Sequence, residues 1–336
     1  MATLKDIAAE AGVSIMTVSN VINGNYGRVS EKNIKKIKEL VKKYNYAPNL
    51  SARSLSSKSS KIIVIFLPQE DPLINYFSNP YLGELFGEIE TLVRKQGYFV
   101  LIRSLEEISS VSTILKNWNA DGSIILTHQD QSTVNMIIEN SDCPVVFIDS
   151  YDSNSSALTV GINDSKGGYI AAKHLIFNGH KKIAFAGPYN ESNDIVYHRY
   201  QGYRSALSEA GIDSSNIITI NTTYEDGINV GRAIANKEYD ATAVFATADI
   251  LAIGIIEGAH RNGLIVPNDL SVVGFDNLQI CSFVTPKLTT ISQNVKQKAE
   301  SAVDLLMKSI QDKTFRKQNV TLDVELKERQ SVWKIL

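Results

Sequence analysis

The chain has 336 residues, of which 43% are apolar and 21% charged, with a formal net charge of -2. Those values exclude fibrous, collagen-like and wholly disordered proteins, and the length exceeds one ordinary domain. The near-neutral total conceals a division, because residues 1–61 hold 11 Lys or Arg against 4 Asp or Glu, a balance of +7, while the remainder balances at -9.

A basic head on an acidic body is the asymmetry of a nucleic-acid-binding module joined to a regulatory one. In chain order, Thr3 can cap a short helix with Asp6 three residues on, and Ile7 and Ala8 fall on one side of it. Gly12 then turns the chain. Ser14 caps a second helix, in which Val18, Val21 and Ile22 recur at helical spacing while Ile15, Met16, Thr17, Ser19 and Asn20 are left mostly outward. The pattern is helix-turn-helix: Ala8 is small enough for close crossing, Gly12 tolerates a left-handed turn, and Val18 and Val21 fill the angle between the helices. An ordinary helical hairpin is the weaker reading, since it does not require small, Gly and branched residues at these spacings. A third helix over 30–44 sets Ile34, Ile37, Leu40 and Val41 on one face and Lys32, Lys35, Lys36, Lys38, Lys42 and Lys43 largely on the other. Such a face is often only solvated; beside a recognition helix it reads as a phosphate-contacting surface.

Pro48 interrupts helix, and residues 49–55 have room for one or two turns before SSKSSK. Alone, this segment is too short and too polar to stay helical in water, which suits a hinge that folds only when paired on DNA. A flexible linker is the alternative, against which the apolar Leu55 argues. The segments TLKDIAAEAGVSIMTVSNVINGN and NYAPNLSARSLSSKS resemble the head and hinge of the lactose-repressor and galactose-repressor (LacI/GalR) family of transcription regulators, and the likeness extends over the whole chain. It implies that the second helix lies in the major groove of a palindromic double-stranded DNA operator, with Ile15, Met16 and Asn20 at the base-reading positions. Ile15 and Met16 suit thymine methyl groups, and Asn20 suits a hydrogen bond. The resemblance gives Ser14, Thr17, Ser19, Asn23 and Arg28 backbone or groove-edge contacts. It makes Leu55 a wedge in the minor groove, with Asn49, Ala52, Arg53 and Ser54 packing nearby.

From Ile62 onward, IIVIFL, YFVLIR, SIILT, PVVFID, KIAFAG, IITIN, AVFAT and LSVVGFD alternate with amphipathic helices, the pattern of βαβ units in parallel sheets. The pattern resets after the polar segment 152–156, which argues for two sheets. The family resemblance implies an all-α head plus two α/β subdomains of the periplasmic-binding-protein type, with three crossovers placed near Gly161, Ile291 and Asp323. The expected division is a head at 1–47, a hinge at 48–61, a first subdomain of 62–161 with 292–323, and a second of 162–291 with 324–336. Ligands of open α/β sheets collect at the carboxyl ends of strands. Those ends are Thr127, His128, Asp149, Asp249 and Asp276, and Arg199 opens the helix after KIAFAG. Carboxylates facing a guanidinium suit the vicinal hydroxyls of a sugar, though Asp249 is at least as well placed to cap the next helix and Asp276 could cap its loop. The resemblance supports Asp149, Arg199 and Asp276 as effector contacts and puts Tyr81 at an effector-facing position. Tyr224 is a weaker aromatic candidate, because the family aromatic falls on Thr222, and Val295 replaces another. These departures leave a purine, nucleoside or other metabolite open beside a sugar.

No GxSxG elbow, GxxxxGK[ST] loop or HExxH motif occurs and the five histidines are scattered, so no enzyme, cofactor or metal is expected. Cys143 and Cys281 lack metal or CxxC spacing and read as free thiols in a reducing compartment. The start MATLKD lacks the order of a secretory signal and no uncharged run reaches membrane length, which points to the cytoplasm and no membrane partner. A solute-binding protein would share the two-lobed fold, but would need a signal peptide and no basic head. Helix-turn-helix readers bind as two-fold dimers, and VWKIL follows KERQS with no heptad tail; a homodimer is the expectation.

Overall fold

The computed structural model describes residues 2–47, 59–68, 76–105, 107–126, 131–150, 157–191, 195–213, 216–312, 314–315 and 318–335. The chain divides into two units, Met1–Ser60 and Lys61–Leu336, each with its own core. The hinge residues Asn49, Ala52, Arg53, Ser54 and Leu55, and the strand-end residues Thr127 and His128, lie outside the described residues.

In the first unit α1 (Leu4–Ala11), α2 (Ile15–Ile22) and α3 (Glu31–Lys43) enclose Ile7, Ala8, Ala11, Val18, Val21, Ile37 and Leu40. The local chemistry is the one read from sequence. Thr3 and Asp6 close a reciprocal capping box, and Gly12 ends α1 in the left-handed conformation at φ +71°. Ser14 and Ser30 cap α2 and α3 through their hydroxyls.

The second unit holds two six-stranded sheets. The first comprises β1 (Ile62–Pro68), β2 (Phe99–Leu105), β3 (Gly122–Leu126), β4 (Val145–Ile148), β5 (Leu158–Ile162) and β11 (Gln318–Leu322), in the order β11-β5-β4-β3-β1-β2, all parallel. The second comprises β6 (Ile183–Gly187), β7 (Ile217–Thr219), β8 (Ala243–Ala246), β9 (Ser271–Asp276), β10 (Thr289–Ser292) and β12 (Glu325–Lys327), in the order β12-β10-β9-β8-β6-β7, parallel except for β12. Central strands such as β3, β4, β8 and β9 are buried at every residue, which is why they read as unbroken apolar runs rather than alternations.

Helices cover both faces of each sheet. Apolar residues of α4 (Pro80–Lys95) and α11 (Val295–Gln311) pack on one face of the first sheet, and those of α5 (Ser110–Asn117) and α6 (Gln131–Asn140) on the other. On the second sheet α9 (Tyr224–Ala235) and α10 (Asp249–Arg261) cover one face, and α7 (Asp164–Phe177) and α8 (Ile195–Glu209) the other. The chain thus leaves the first sheet after β5, builds most of the second, returns through α11 to add β11, and ends with β12 on the second. Strands β5, β10, β11 and β12 are not among the strand runs read from sequence; short, polar segments such as QNVTL, TTIS and ELK carry little apolar signal. Among the described residues no helix is long and apolar enough to cross a membrane.

Candidate functional site

Two groups of side chains stand out, one in each unit. On α2, the first-turn residues Ile15 and Met16 are 48% and 74% exposed, an unusual position for two large apolar side chains in a unit with so small a core. Ser14 Oγ and Thr17 Oγ1 lie 2.9 Å apart and Asn23 Nδ2 donates to Ser19 Oγ at 3.3 Å. Asn20 is half-buried, and Arg28 is exposed beyond the helix. The lysine face of α3 is partly committed to the head itself. Lys36 Nζ donates to the Ala11 carbonyl at 3.0 Å, Lys43 pairs with Glu10 at 2.6 Å, and Lys38 lies over the Tyr26 ring at 4.9 Å. Lys32, Lys35 and Lys42 remain exposed.

In the second unit, charged side chains from the carboxyl ends of both sheets meet in the interior. Asp149 follows β4 and Asp276 ends β9, at φ +61° and +123°, backbone conformations that non-glycine residues seldom adopt. Arg199, on α8, is 7% exposed. Its Nε donates to Asp164 Oδ1 at 2.6 Å and its Nη1 to the Thr247 carbonyl at 2.5 Å, and its guanidinium stacks on the Phe275 ring at 3.5 Å. Neither bond uses Nη2. Lys298, on α11, is 1% exposed; its Nζ donates to Asp149 Oδ1 at 2.8 Å, Tyr81 Oη at 3.0 Å and Gln293 Oε1 at 2.6 Å. Tyr81 Oη donates to Asp149 Oδ2 at 3.1 Å, and Gln293 Nε2 donates to Asp276 Oδ1 at 2.5 Å.

Burial sets the electrostatics. Three carboxyl groups face two cations, and removal from water penalises every charged form. Burial raises Asp276 to about 8, with nearby Asp249 adding to the rise and Arg199 opposing it. Burial raises Asp164 to about 6 despite its ion pair with Arg199. Tyr81 is pushed well above the usual phenol range by burial and by Asp149. Asp149 pairs with Lys298 and Asp164 with Arg199; among the described residues Asp276 has no ion pair, and burial favours its neutral, protonated form.

Asp149, Arg199, Asp276 and Tyr81, singled out from the sequence, come together here. Asp249 has another position: it neither caps α10 through its side chain nor faces open space. Fully buried, it accepts from Leu278 N at 2.8 Å and from Thr290 Oγ1 at 2.5 Å, tying the start of α10 to the loop after β9 and to β10. Asp276 bonds Gln293 rather than capping its loop. Tyr224 opens α9 and packs against the core between that helix and the second sheet, with no hydrogen bond to the carboxyl cluster among the described residues. Sequence reasoning missed Asp164, Gln293 and Lys298. Lys298 had a detectable signal, because Val295, Lys298, Ala299 and Ala302 follow the i, i+3, i+4, i+7 spacing of a buried helix face.

Comparison with known proteins agrees with this architecture. Residues 3–49 match the family of bacterial regulatory proteins, lacI family, and residues 172–332 match the periplasmic binding protein-like domain. The chain is 33% identical over 340 residues to the HTH-type transcriptional repressor PurR of Histophilus somni, covering 99% of each. It is 34% identical over 341 residues to the HTH-type transcriptional regulator DegA of Bacillus subtilis, covering 98% of this chain and 97% of that protein. Its fold matches the lac repressor dimer bound to operator and the anti-inducer ONPF with a TM-score of 0.86 at 24% identity, covering 99% of both chains. It also matches a LacI family transcriptional regulator from Enterococcus faecium with bound ribose, with a TM-score of 0.71 at 27% identity, covering 82% of this chain and 100% of that one. The chain therefore belongs to the LacI family of bacterial regulatory proteins, and it is a DNA-binding transcriptional regulator under the control of a small effector.

Proposed function

We propose that the protein is a cytoplasmic, non-enzymatic repressor that binds a palindromic operator as a homodimer and releases or takes up DNA in response to a sugar. The observation that carries the effector reading is the meeting of Asp276, Arg199 and Asp149 in one buried cluster at the carboxyl ends of two sheets. A carboxyl group and a guanidinium fork can hold adjacent hydroxyls from two sides, with Asp276 donating to one hydroxyl through its protonated Oδ2 and Arg199 donating to the other through Nη2. Tyr81 adjoins them through its hydrogen bonds with Asp149 and Lys298. The ribose bound to the Enterococcus faecium relative supports the sugar class. Thr127, His128, Asp249 and Tyr224 belong to the same candidate set, with Asp249 acting through the loop it holds.

On the DNA side, Ile15, Met16 and Asn20 read base edges, while Ser14, Thr17, Ser19, Asn23 and Arg28 position the head on the backbone. Asn49, Ala52, Arg53 and Leu55 form the hinge. Exposure of Ile15 and Met16 on a capped helix supports this assignment, since contact with thymine methyl groups gives these side chains an apolar partner. Residues 1–47 serve as the head, 48–61 as the hinge, 62–161 with 292–323 as the first lobe and 162–291 with 324–336 as the second.

The test is a gel-shift titration of the promoter beside the gene, with D-ribose and other sugars, and with purines and nucleosides as the competing class. A sugar is expected to change operator affinity. Arg199→Ala and Asp276→Ala should abolish that response while operator binding persists. A response retained in both variants, or elicited by purines alone, overturns the sugar site.

A further inference from the structure

Lys298 presents an unusual problem in energetics. Burying an ammonium group is costly even after relaxation, yet this one lies on the helix face that otherwise carries Val295, Ala299 and Ala302 into the first-sheet core. The cost is tolerable only where all three protons find acceptors, and Asp149, Tyr81 and Gln293 provide them. Two of these acceptors belong to the first lobe, Asp149 at the end of β4 and Tyr81 on α4. The third, Gln293, stands in the crossover just after β10 of the second sheet. Because its oxygen is turned to Lys298, its amide nitrogen is turned to Asp276 at the end of β9. The result is an unbroken buried line, Asp149–Lys298–Gln293–Asp276, running from the strand end of one lobe to that of the other.

We propose that Lys298 is a positioning residue that latches the two lobes together, its ammonium joining Asp149 and Tyr81 of the first lobe, through Gln293, to Asp276 of the second. The proposal rests on the effector-site reading above. It further implies that Lys298, having given all three protons to the protein, presents no donor to the ligand, so recognition falls chiefly on Asp276 and Arg199 of the second lobe.

The experiment is a spin-label distance measurement on the full chain without ligand, with labels on cysteines introduced at the exposed Lys95 of the first lobe and Lys237 of the second. Cys143→Ser removes the half-buried native thiol, and Cys281 is fully buried. One variant is Lys298→Met with Asp149→Asn, which deletes the ion pair without stranding either charge. The other is Gln293→Leu, which cuts the line but leaves the Lys298–Asp149 pair intact and so covers the case in which the first fails to fold. Mixed with a large excess of unlabelled chain, so that each dimer carries one labelled protomer, wild-type protein should give a single narrow distance, and each folded variant a distribution about two-fold or more broader, as expected when a second lobe arrangement becomes populated. An unchanged distribution in a folded Gln293→Leu variant overturns the latch. D-ribose titration of the wild type tests the sugar reading separately: no ribose response together with broadened variant distances would remove ribose and keep the latch.

Discussion

Asp276 carries the sharpest consequence of burial. Its folded-state value of about 8 stands far above the ordinary carboxyl value of 3.8, so between those limits the folded chain holds a proton that the unfolded chain has released. Stability from this group is complete at low pH and is lost as pH rises through about 8, with a slope of up to about 1.4 kcal/mol per pH unit. Asp164, raised to about 6, and Asp249, also raised to about 6, contribute in the same sense but finish earlier, so among these three carboxyls the interval from about 6 to 8 falls to Asp276, while His174 and His180, lowered by burial, act in the opposite sense and equally in wild type and variant. Asp276→Asn keeps the shape and cannot ionise. Urea midpoints at pH 6 and pH 8 should therefore fall more steeply for the wild type than for Asp276→Asn, and parallel declines would contradict the assignment. Of the cluster, Asp149 and Asp276 were legible because an acidic residue ending an apolar run is conspicuous, whereas Arg199, twelve residues beyond β6 and inside α8, and Tyr81 were supported by the family resemblance. Gln293 and Asp164 were not legible, because SQNVKQ and NDSKGG read as ordinary polar helix starts, and only the crossing of the chain between the two sheets buries them; Lys298 showed only through the helical spacing it shares with Val295, Ala299 and Ala302.

At the scale of elements, the helix pair α7 and α8 packs so closely that a side chain cannot enter the contact. A Cβ at Gly168 would stand 1.9 Å from the Arg199 carbonyl oxygen, and one at Gly202 would stand 1.8 Å from that of Ser165. Both obstacles are backbone, so rotamer changes give no relief. Gly168→Ala should cost about 1–3 kcal/mol and shift the backbone that carries Arg199, weakening any effector response beyond the stability loss; a variant with wild-type melting and response would show that the helices yield freely. The contrasting case is α2. Ile15 and Met16 contribute little to the head core of Ile7, Val18, Val21 and Ile37, so Ile15→Ala and Met16→Ala should leave melting unchanged. Each should weaken specific operator binding about ten-fold, equivalent to roughly 1.4 kcal/mol, with little effect on binding to random duplex. Equal losses on both duplexes would mean that these side chains do not read bases. Capping residues, helix spacing and the central strands were all visible in the sequence, because each is a local or periodic signal. The pairing of β11 and β12 with different sheets was expected only through the family resemblance, since Gln318–Leu322 and Glu325–Lys327 are separated by two residues and no local rule divides them.

For the whole molecule, the size of the reader constrains the assembly. An eight-residue helix such as α2, if it reads bases as proposed, reaches only a few base pairs, and each correct pair adds about 1–3 kcal/mol of discrimination. One head therefore cannot single out an operator against a genome of competing sites, whereas two heads on a two-fold axis double the readout without enlarging the module. Their electrostatic contribution adds as well. Of the α3 lysines, Lys32, Lys35 and Lys42 remain available for phosphates after the head has used Lys36 and Lys43, and each phosphate contact contributes about 0.9 to the slope of log affinity against log salt. The full chain should accordingly sediment at twice its 37.1 kDa mass and bind a palindrome of two half-sites far more tightly than one half-site. Inserting about five base pairs between the half-sites turns the second to the opposite face of the duplex, so affinity should fall to nearly that of the half-site, while inserting a full turn of about ten should restore part of it. An affinity that ignores the insertion would mean that the heads bind independently, and the dimeric reader would have to be abandoned.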